Sequence, residues 1–255
     1  MSFLNFRPLY WIFALLTLMT SCIGYKKTLY FQGTQTEVAR PVAETNYKLQ
    51  AGDIIMVKLF TPDTKSAEML DQQSGSNVAV SAAGIYMNNH SVSDSGFVDL
   101  PLAGSVYVLG YTVKQVDSIV TERAKNYFTN FTINVKLVSY KFMALGEFKH
   151  PGYTYVYSDK CTIFEAISLA GDATDLANKT KVTVVRQSPG QPDKIFKVNL
   201  TDFSVYESEA FNIQPNDVIY IQPQKAKTDS RNIQYITLGF AAISSILLVI
   251  NYIGK

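Results

Sequence analysis

A chain of 255 residues that is 47% hydrophobic and 17% charged has enough apolar material for a core, which excludes a disordered chain. Lys and Arg number 23 against 21 Asp and Glu, and the formal charge of +2 leaves no electrostatic case for nucleic acid as a partner. Two cysteines cannot build a disulfide framework, and the aromatic content of 13%, mostly Tyr and Phe, is ordinary strand material.

Residues 1–21 have the shape of a secretory signal peptide. Arg7 precedes an apolar run from Leu9 to Met19, and small residues, Thr20 and Ser21, precede Cys22. The apolar run is too short to cross a bilayer. The small-small-Cys ending resembles a bacterial lipobox, which would make Cys22 the lipidated first residue of the mature chain. Two or more acyl chains there would hold the N-terminus stably to membrane lipid. Cys161 would then be the remaining thiol, expected as a small buried hydrophobe. Residues 22–45 are polar and carry Gly24, Gly33 and Pro41, so they read as a lipidated tether.

Ordered structure is expected from Tyr47, in a first unit over 46–141. A turn at Gly52-Asp53 precedes the β-branched strand Ile54–Phe60. Thr61–Gly84 reads as loop, Ile85–Met87 as a short strand and Asn88–Asp94 as a turn. Gly96–Gly104 reads as a strand stopped by Pro101, and Ser105–Gly110 as another. From Val113 to Phe128 the period changes: Val113, Val116, Ile119, Val120, Ala124 and Tyr127 share one helical face, with Thr112 as N-cap. Phe131–Leu145 returns to strand.

A second unit spans 142–223. Met143–Tyr153 reads as strand, turn, strand, with Pro151-Gly152 at the turn. Thr162–Ala170 reads as a short helix stopped by Gly171. Lys181–Arg186 and Ile195–Leu200 read as a hairpin, and Phe211–Pro223 closes the unit. Leu49-Gln50-Ala51-Gly52-Asp53-Ile54-Ile55 is echoed by Ile213-Gln214-Pro215-Asn216-Asp217-Val218-Ile219. Each places an Asp in a turn before a buried strand, where its carboxylate is expected to bond backbone N–H groups two residues on. Asp53 and Asp217 are therefore structural aspartates.

After a linker at 224–232, residues 233–253 form a stretch of 21 without a charge. As a helix it would extend about 31 Å, the thickness of a bilayer's hydrocarbon core, so a transmembrane helix is expected. Gln234, Thr237, Ala241, Ser244, Leu248 and Asn251 recur three and four apart on one face. All but Leu248 are polar or small, which suits a water-filled pore or a helical neighbour.

No Gly-rich phosphate loop ending in Gly-Lys-Ser or Gly-Lys-Thr occurs, no Gly-x-Ser-x-Gly and no Cys-x-x-Cys. His90 and His150 stand apart without a supporting cluster, and the carboxylates are scattered. The chain is expected not to be an enzyme and to carry no metal or cofactor.

Several stretches together resemble the outer-membrane polysaccharide export lipoproteins of the Wza type. Tyr47-x-Leu-x-x-Gly-Asp-x-Ile-x-Val looks like the opening strand of that family's export domain. Asp94-Ser-Gly-Phe-Val-Asp-Leu-Pro-Leu-Ala-Gly104 and the helix that follows continue it. Leu145-Gly-Glu-x-x-x-Pro-Gly-Tyr153, Thr162-Ile-x-Glu-Ala-Ile-x-x-Ala-Gly171 and Asn216-Asp-Val-Ile-Tyr-Ile look like one soluble-ligand-binding β-grasp repeat. The implied fold class is α+β: a β-rich periplasmic export domain, one β-grasp-like domain and a C-terminal transmembrane α-helix. Better-known members carry more β-grasp repeats than the single one found here. The resemblance implies a non-enzymatic channel for capsular or extracellular polysaccharide, built as a homo-oligomeric ring of about eight subunits with a helical barrel. It implies a bacterial outer-membrane location with lipid on Cys22, a periplasmic body, and an inner-membrane polysaccharide co-polymerase with a tyrosine kinase part as partner. The alternative is a periplasmic glycan-binding or scaffold lipoprotein whose C-terminal helix is only an anchor.

Overall fold

The computed structural model describes residues 29–32, 47–62, 82–100, 103–188 and 190–253. The chain is mixed α/β and rich in strands, with four α-helices among the described residues. The signal peptide and Cys22 lie outside them, as do Pro101 and most of the Thr61–Gly84 loop.

Strand β1, Ile54–Phe60, anchors the first unit. Helix α1 follows at Ala82–Asn88 and the short strand β2 at His90–Ser91. The strand expected at Ile85–Met87 is thus part of a helix. Tyr86 and Met87 face solvent, and among the described residues no sheet face holds them in extended form. Pairing with β1 begins only at His90, opposite Ile55.

A hairpin follows, β3 at Phe97–Leu100 and β4 at Gly104–Tyr107, with Val98 opposite Val106 and both fully buried. Helix α2, Val113–Ala124, begins at Thr112, whose hydroxyl accepts from the Gln115 N–H while the Gln115 side chain accepts from the Thr112 N–H. Its buried residues are Val116, Val120 and Ala124. The helix was expected to reach Phe128 but stops after Ala124. Asn126 and Tyr127 turn their N–H groups back three residues, and Tyr127 points into solvent. Strand β5, Thr132–Leu137, pairs antiparallel with β1 from Ile55↔Leu137 to Phe60↔Thr132, giving the sheet order β2-β1-β5.

The expected long strand Phe131–Leu145 divides here. Residues 138–140 leave the first sheet, and β6, Lys141–Gly146, begins a second. Leu137 packs against both hydrophobic clusters, one drawn from Tyr47 to Val135 and the other from Tyr140 to Ile221.

The second unit continues through β7 (Gly152–Tyr155), β8 (Cys161–Thr162), helix α3 (Ile163–Leu169), β9 (Ala177–Arg186), β10 (Lys194–Val198), β11 (Asn212–Ile213) and β12 (Val218–Pro223). The five-stranded sheet has order β10-β9-β12-β6-β7. Only β12 and β6 pair in parallel; the other neighbours are antiparallel. Thr162 caps α3 through a reciprocal bond with Glu165. Ile163, Ala166 and Ile167 of α3 join Phe142, Ala144, Val182, Val184, Ile219 and Ile221 in one core.

Gly152 lies in β7 rather than in the turn between β6 and β7. The reversal is made by 147–151, where Lys149 and His150 donate N–H groups to the carbonyls of Asp172 and Ala170. Gly146 ends β6 at φ 85°, and a Cβ there would strike the carbonyl oxygen of Ile221 on the parallel neighbour.

Helix α4, Lys225–Ile253, leaves directly after β12. Its described side chains are exposed along the whole length, including Leu238, Phe240, Ile243 and Leu247. Among the described residues no helix is long and apolar enough to cross a membrane. The tail expected to be transmembrane is therefore helical, while its crossing of a bilayer rests on the charge-free sequence 233–253 alone.

Gly146→Ala should lower stability by about 2–3 kcal/mol, because it adds both a left-handed backbone penalty and a backbone clash. Thermal unfolding of the variant against the parent measures it.

Candidate functional site

The two echoed motifs fold alike. In each, the Asp N–H donates to the carbonyl of the Gln three residues earlier, at 3.2 Å for Asp53 and 3.1 Å for Asp217. The carboxylate reaches back to accept from the N–H of that same Gln, at 2.9 Å from Gln50 and 2.8 Å from Gln214. The residue before each Asp is left-handed, Gly52 at φ 85° and Asn216 at φ 66°. Pro215 takes the position a proline favours in such a turn. The expectation of N–H partners two residues on is thereby corrected: the partner lies three residues back. The left-handed residue brings that N–H under the carboxylate.

The remaining oxygens find different partners. Asp53 accepts from the Tyr47 hydroxyl at 2.8 Å and the Ser139 hydroxyl at 3.4 Å. Asp217, fully buried, meets the Arg186 guanidinium in a fork, Nε to Oδ1 at 3.0 Å and Nη2 to Oδ2 at 2.8 Å. Arg186 also donates to the Asn212 carbonyl at 2.9 Å and lies over the Phe196 ring. Burial pushes both carboxyls upward, against their hydrogen-bond donors and, for Asp217, against the Arg186 charge. Burial, and after it the charge of Asp53, also raises the Tyr47 phenol; the field of Asp217 adds to it, so the two turns lie close.

Between them opens a cleft of about 290 Å³. Tyr47, Lys48 and Gln50 line it from the first unit, Arg186, Gln191 and Gln214 from the second. Carboxamides and cations dominate, a lining that can hydrogen-bond hydroxyl-rich or anionic groups. Nothing in it is arranged as nucleophile and base. Among the described residues no cluster of His, Cys, Asp or Glu could hold a metal.

A second arrangement falls within the expected tether. Residues 29–32 dock on the second unit. The Tyr30 hydroxyl donates to Asp172 at 2.6 Å, the Gln32 N–H donates to the Thr201 carbonyl, and Lys179 sits 3.8 Å from the Tyr30 ring centre. Phe31 stacks among Phe164, Phe203 and Tyr206. Partial burial works upward on the Asp172 carboxyl. The Tyr30 hydroxyl, the Ala173 N–H and the Lys179 charge outweigh it and hold the carboxyl below its usual range.

On the tail, Thr237, Ala241 and Ser244 lie exposed on α4. Ser244 and Ser245 both turn their hydroxyls onto the Ala241 carbonyl, at 2.9 and 3.0 Å. The side chains of Gln234 and Asn251 lie outside the described set. Pro151 is an exposed loop residue. The sequence reading named both aspartates but missed Arg186, Tyr47 and the Tyr30–Asp172 contact. A lone cation closing the apolar run of β9 was the available signal for Arg186, since a buried carboxylate requires a partner. Nothing local marked Tyr30.

Residues 41–138 match the family model described as polysaccharide biosynthesis/export protein. The match covers the first unit and ends where the chain passes into the second. The match makes that unit similar to the polysaccharide biosynthesis/export family.

Arg186→Ala should destabilise the fold by about 3–5 kcal/mol, because it leaves a buried carboxylate without its charge partner. Arg186→Ala combined with Asp217→Ala should cost less than the two single changes added, as measured by denaturant unfolding. A depressed Asp172 means the docking of residues 29–32 is complete above about pH 4 and weakens only as pH falls through the lower value. Amide exchange at Gln32 should stay slow from neutral pH to about 4 and quicken below, and Asp172→Ala should abolish that protection throughout.

Proposed function

We propose that this chain is a subunit of a non-enzymatic outer-membrane channel for capsular or extracellular polysaccharide. The observation that carries the reading is the match of residues 41–138 to the polysaccharide export family. The order of parts supports it: a lipobox-like Cys22, the export unit, a second unit and an uncharged helical tail. The second unit acts as a soluble-ligand-binding β-grasp repeat, a reading supported by its parallel β6–β12 pair with one helix across the sheet.

Cys22 is lipidated at the inner leaflet of the outer membrane. Only six residues lie between it and Leu29, so the lipidated residue lies within about 25 Å of the docked segment on the second unit. Helix α4 starts from the same unit, which favours a membrane-proximal second unit and an export unit reaching into the periplasm. About eight copies form the ring, and the α4 helices make its barrel, with Gln234, Thr237, Ser244 and Asn251 toward the lumen or a neighbour. The polymer and drive come from an inner-membrane co-polymerase with a tyrosine kinase part.

One observation favours the alternative, a periplasmic glycan-binding or scaffold lipoprotein whose C-terminal helix is only an anchor: the cleft lined by Lys48, Gln50, Arg186, Gln191 and Gln214 can hydrogen-bond hydroxyl-rich groups. The full chain extracted in detergent separates the two. The channel reading expects a native mass of several subunits and negative-stain images with a central hole. A stable monomer or dimer across detergents would leave the scaffold.

A further inference from the structure

The five-stranded sheet has two faces, and among the described residues only one is covered by a helix. Phe142, Ala144, Val182, Val184, Ile219 and Ile221 point inward beneath α3. The alternate residues point outward. The pairing registers align Tyr153, Met143, Val218, Val185 and Ile195 in one row across all five strands. The next row runs Leu145, Tyr220, Thr183, Lys197. Ile195 and Tyr153 are 65% and 63% exposed, and Leu145 is 40% exposed. A continuous apolar surface spanning a whole sheet is unusual on an isolated domain. Its charges are of one sign: Lys141, Lys181 and Lys197 stand among the outward positions of these strands, and no carboxylate does.

The opposite side of the same unit carries exposed leucines with carboxylates near them, Lys179 standing close to Asp175. Leu169 on α3 and Leu176 just beyond it are exposed, beside the exposed carboxylates of Glu165 and Asp175. We propose that the outward face of the β10-β9-β12-β6-β7 sheet docks on the α3 side of the second unit of another copy of this chain. The lysines would meet Glu165 and Asp175, and the apolar rows would cover Leu169 and Leu176. Such a contact is head-to-tail, so each copy keeps one free face of each kind and the assembly grows until it closes. Face-to-face pairing of two sheets would set Lys141, Lys181 and Lys197 against the same three lysines. An anionic glycan would meet the lysines and could stack on Tyr153 and Tyr220, but Met143, Val185, Val218 and Ile195, the rest of the first row, offer it no hydrogen bonds, so a second protein surface covers that row better. The inference rests on the ring proposed above and assigns its contact surfaces.

The test is thiol cross-linking of the full chain in detergent. Cys161 is buried, and burial with the nearby Glu165 pushes its thiol up to about 12, so it stays silent; the parent chain controls for Cys22. The double variant Leu145→Cys with Leu169→Cys should give a ladder extending beyond the dimer, while either single variant stays at the parent's background. Lys181→Glu with Lys197→Glu should raise the concentration needed for assembly at least tenfold, and adding Asp175→Lys should recover part of that loss. Dimers from Leu145→Cys alone would overturn the proposal in favour of sheet-to-sheet pairing. A large native mass without any ladder would reject these faces and leave the ring standing on other surfaces. Protection of Leu145→Cys from labelling by an acidic polysaccharide, in a protein lacking the ladder, would make the face a glycan site and overturn the contact. A parent chain running as a monomer would remove both the contact and the ring.

Discussion

The second unit depends on the pairing of Arg186 with Asp217. That carboxylate is fully buried at the mouth of β12, the strand that lies between β6 and β9. A carboxylate in that place is tolerable only if its lone pairs are used, and here two come from a guanidinium fork and one from the Gln214 N–H. The same guanidinium reaches the Asn212 carbonyl, just before the turn. One side chain from the end of β9 thus fixes Asn212 and the turn residue just before β12 together. The parallel register of β12 on β6 follows from where that turn is held.

The first unit solves the same problem without a charge. Its Asp53 turn has the same backbone geometry, yet the partners are the Tyr47 and Ser139 hydroxyls. Ser139 also accepts from the Ile54 N–H, and it belongs to the joint between the units. The turn that opens β1 is therefore tied to the segment that leaves β5. The two turns, similar in sequence, end up lining one cleft from opposite sides.

Much of this was legible. The capping pairs Thr112–Gln115 and Thr162–Glu165, the strand at Ile54–Phe60 and the turn glycine at 52 are local features, decided by residues within four positions of one another. What misled was set at long range. Ile85–Met87 looks like strand material, but among the described residues no partner strand lies beside it and β2 forms three residues later, where β1 offers an edge. Phe131–Leu145 is strand material throughout, and its division into β5 and β6 depends on two separate cores: Leu137 packs against both, while Tyr140 is buried in the second. The cleft was less legible still. Its glutamines lie far apart in sequence, and only the facing of the two turns brings them together.

The docking of residues 29–32 has a mechanical consequence. The chain touches the second unit first, then builds the whole first unit, then returns to complete the second and leave through α4. A pull on the front of the chain is taken up at Asp172 and Thr201, and a pull on the tail at β12, a few strands away in the same sheet or its flank. The load path between the two ends closes inside one unit. The matched export unit hangs from that path as a closed loop and carries none of the tension, so its geometry is insulated from forces at either end.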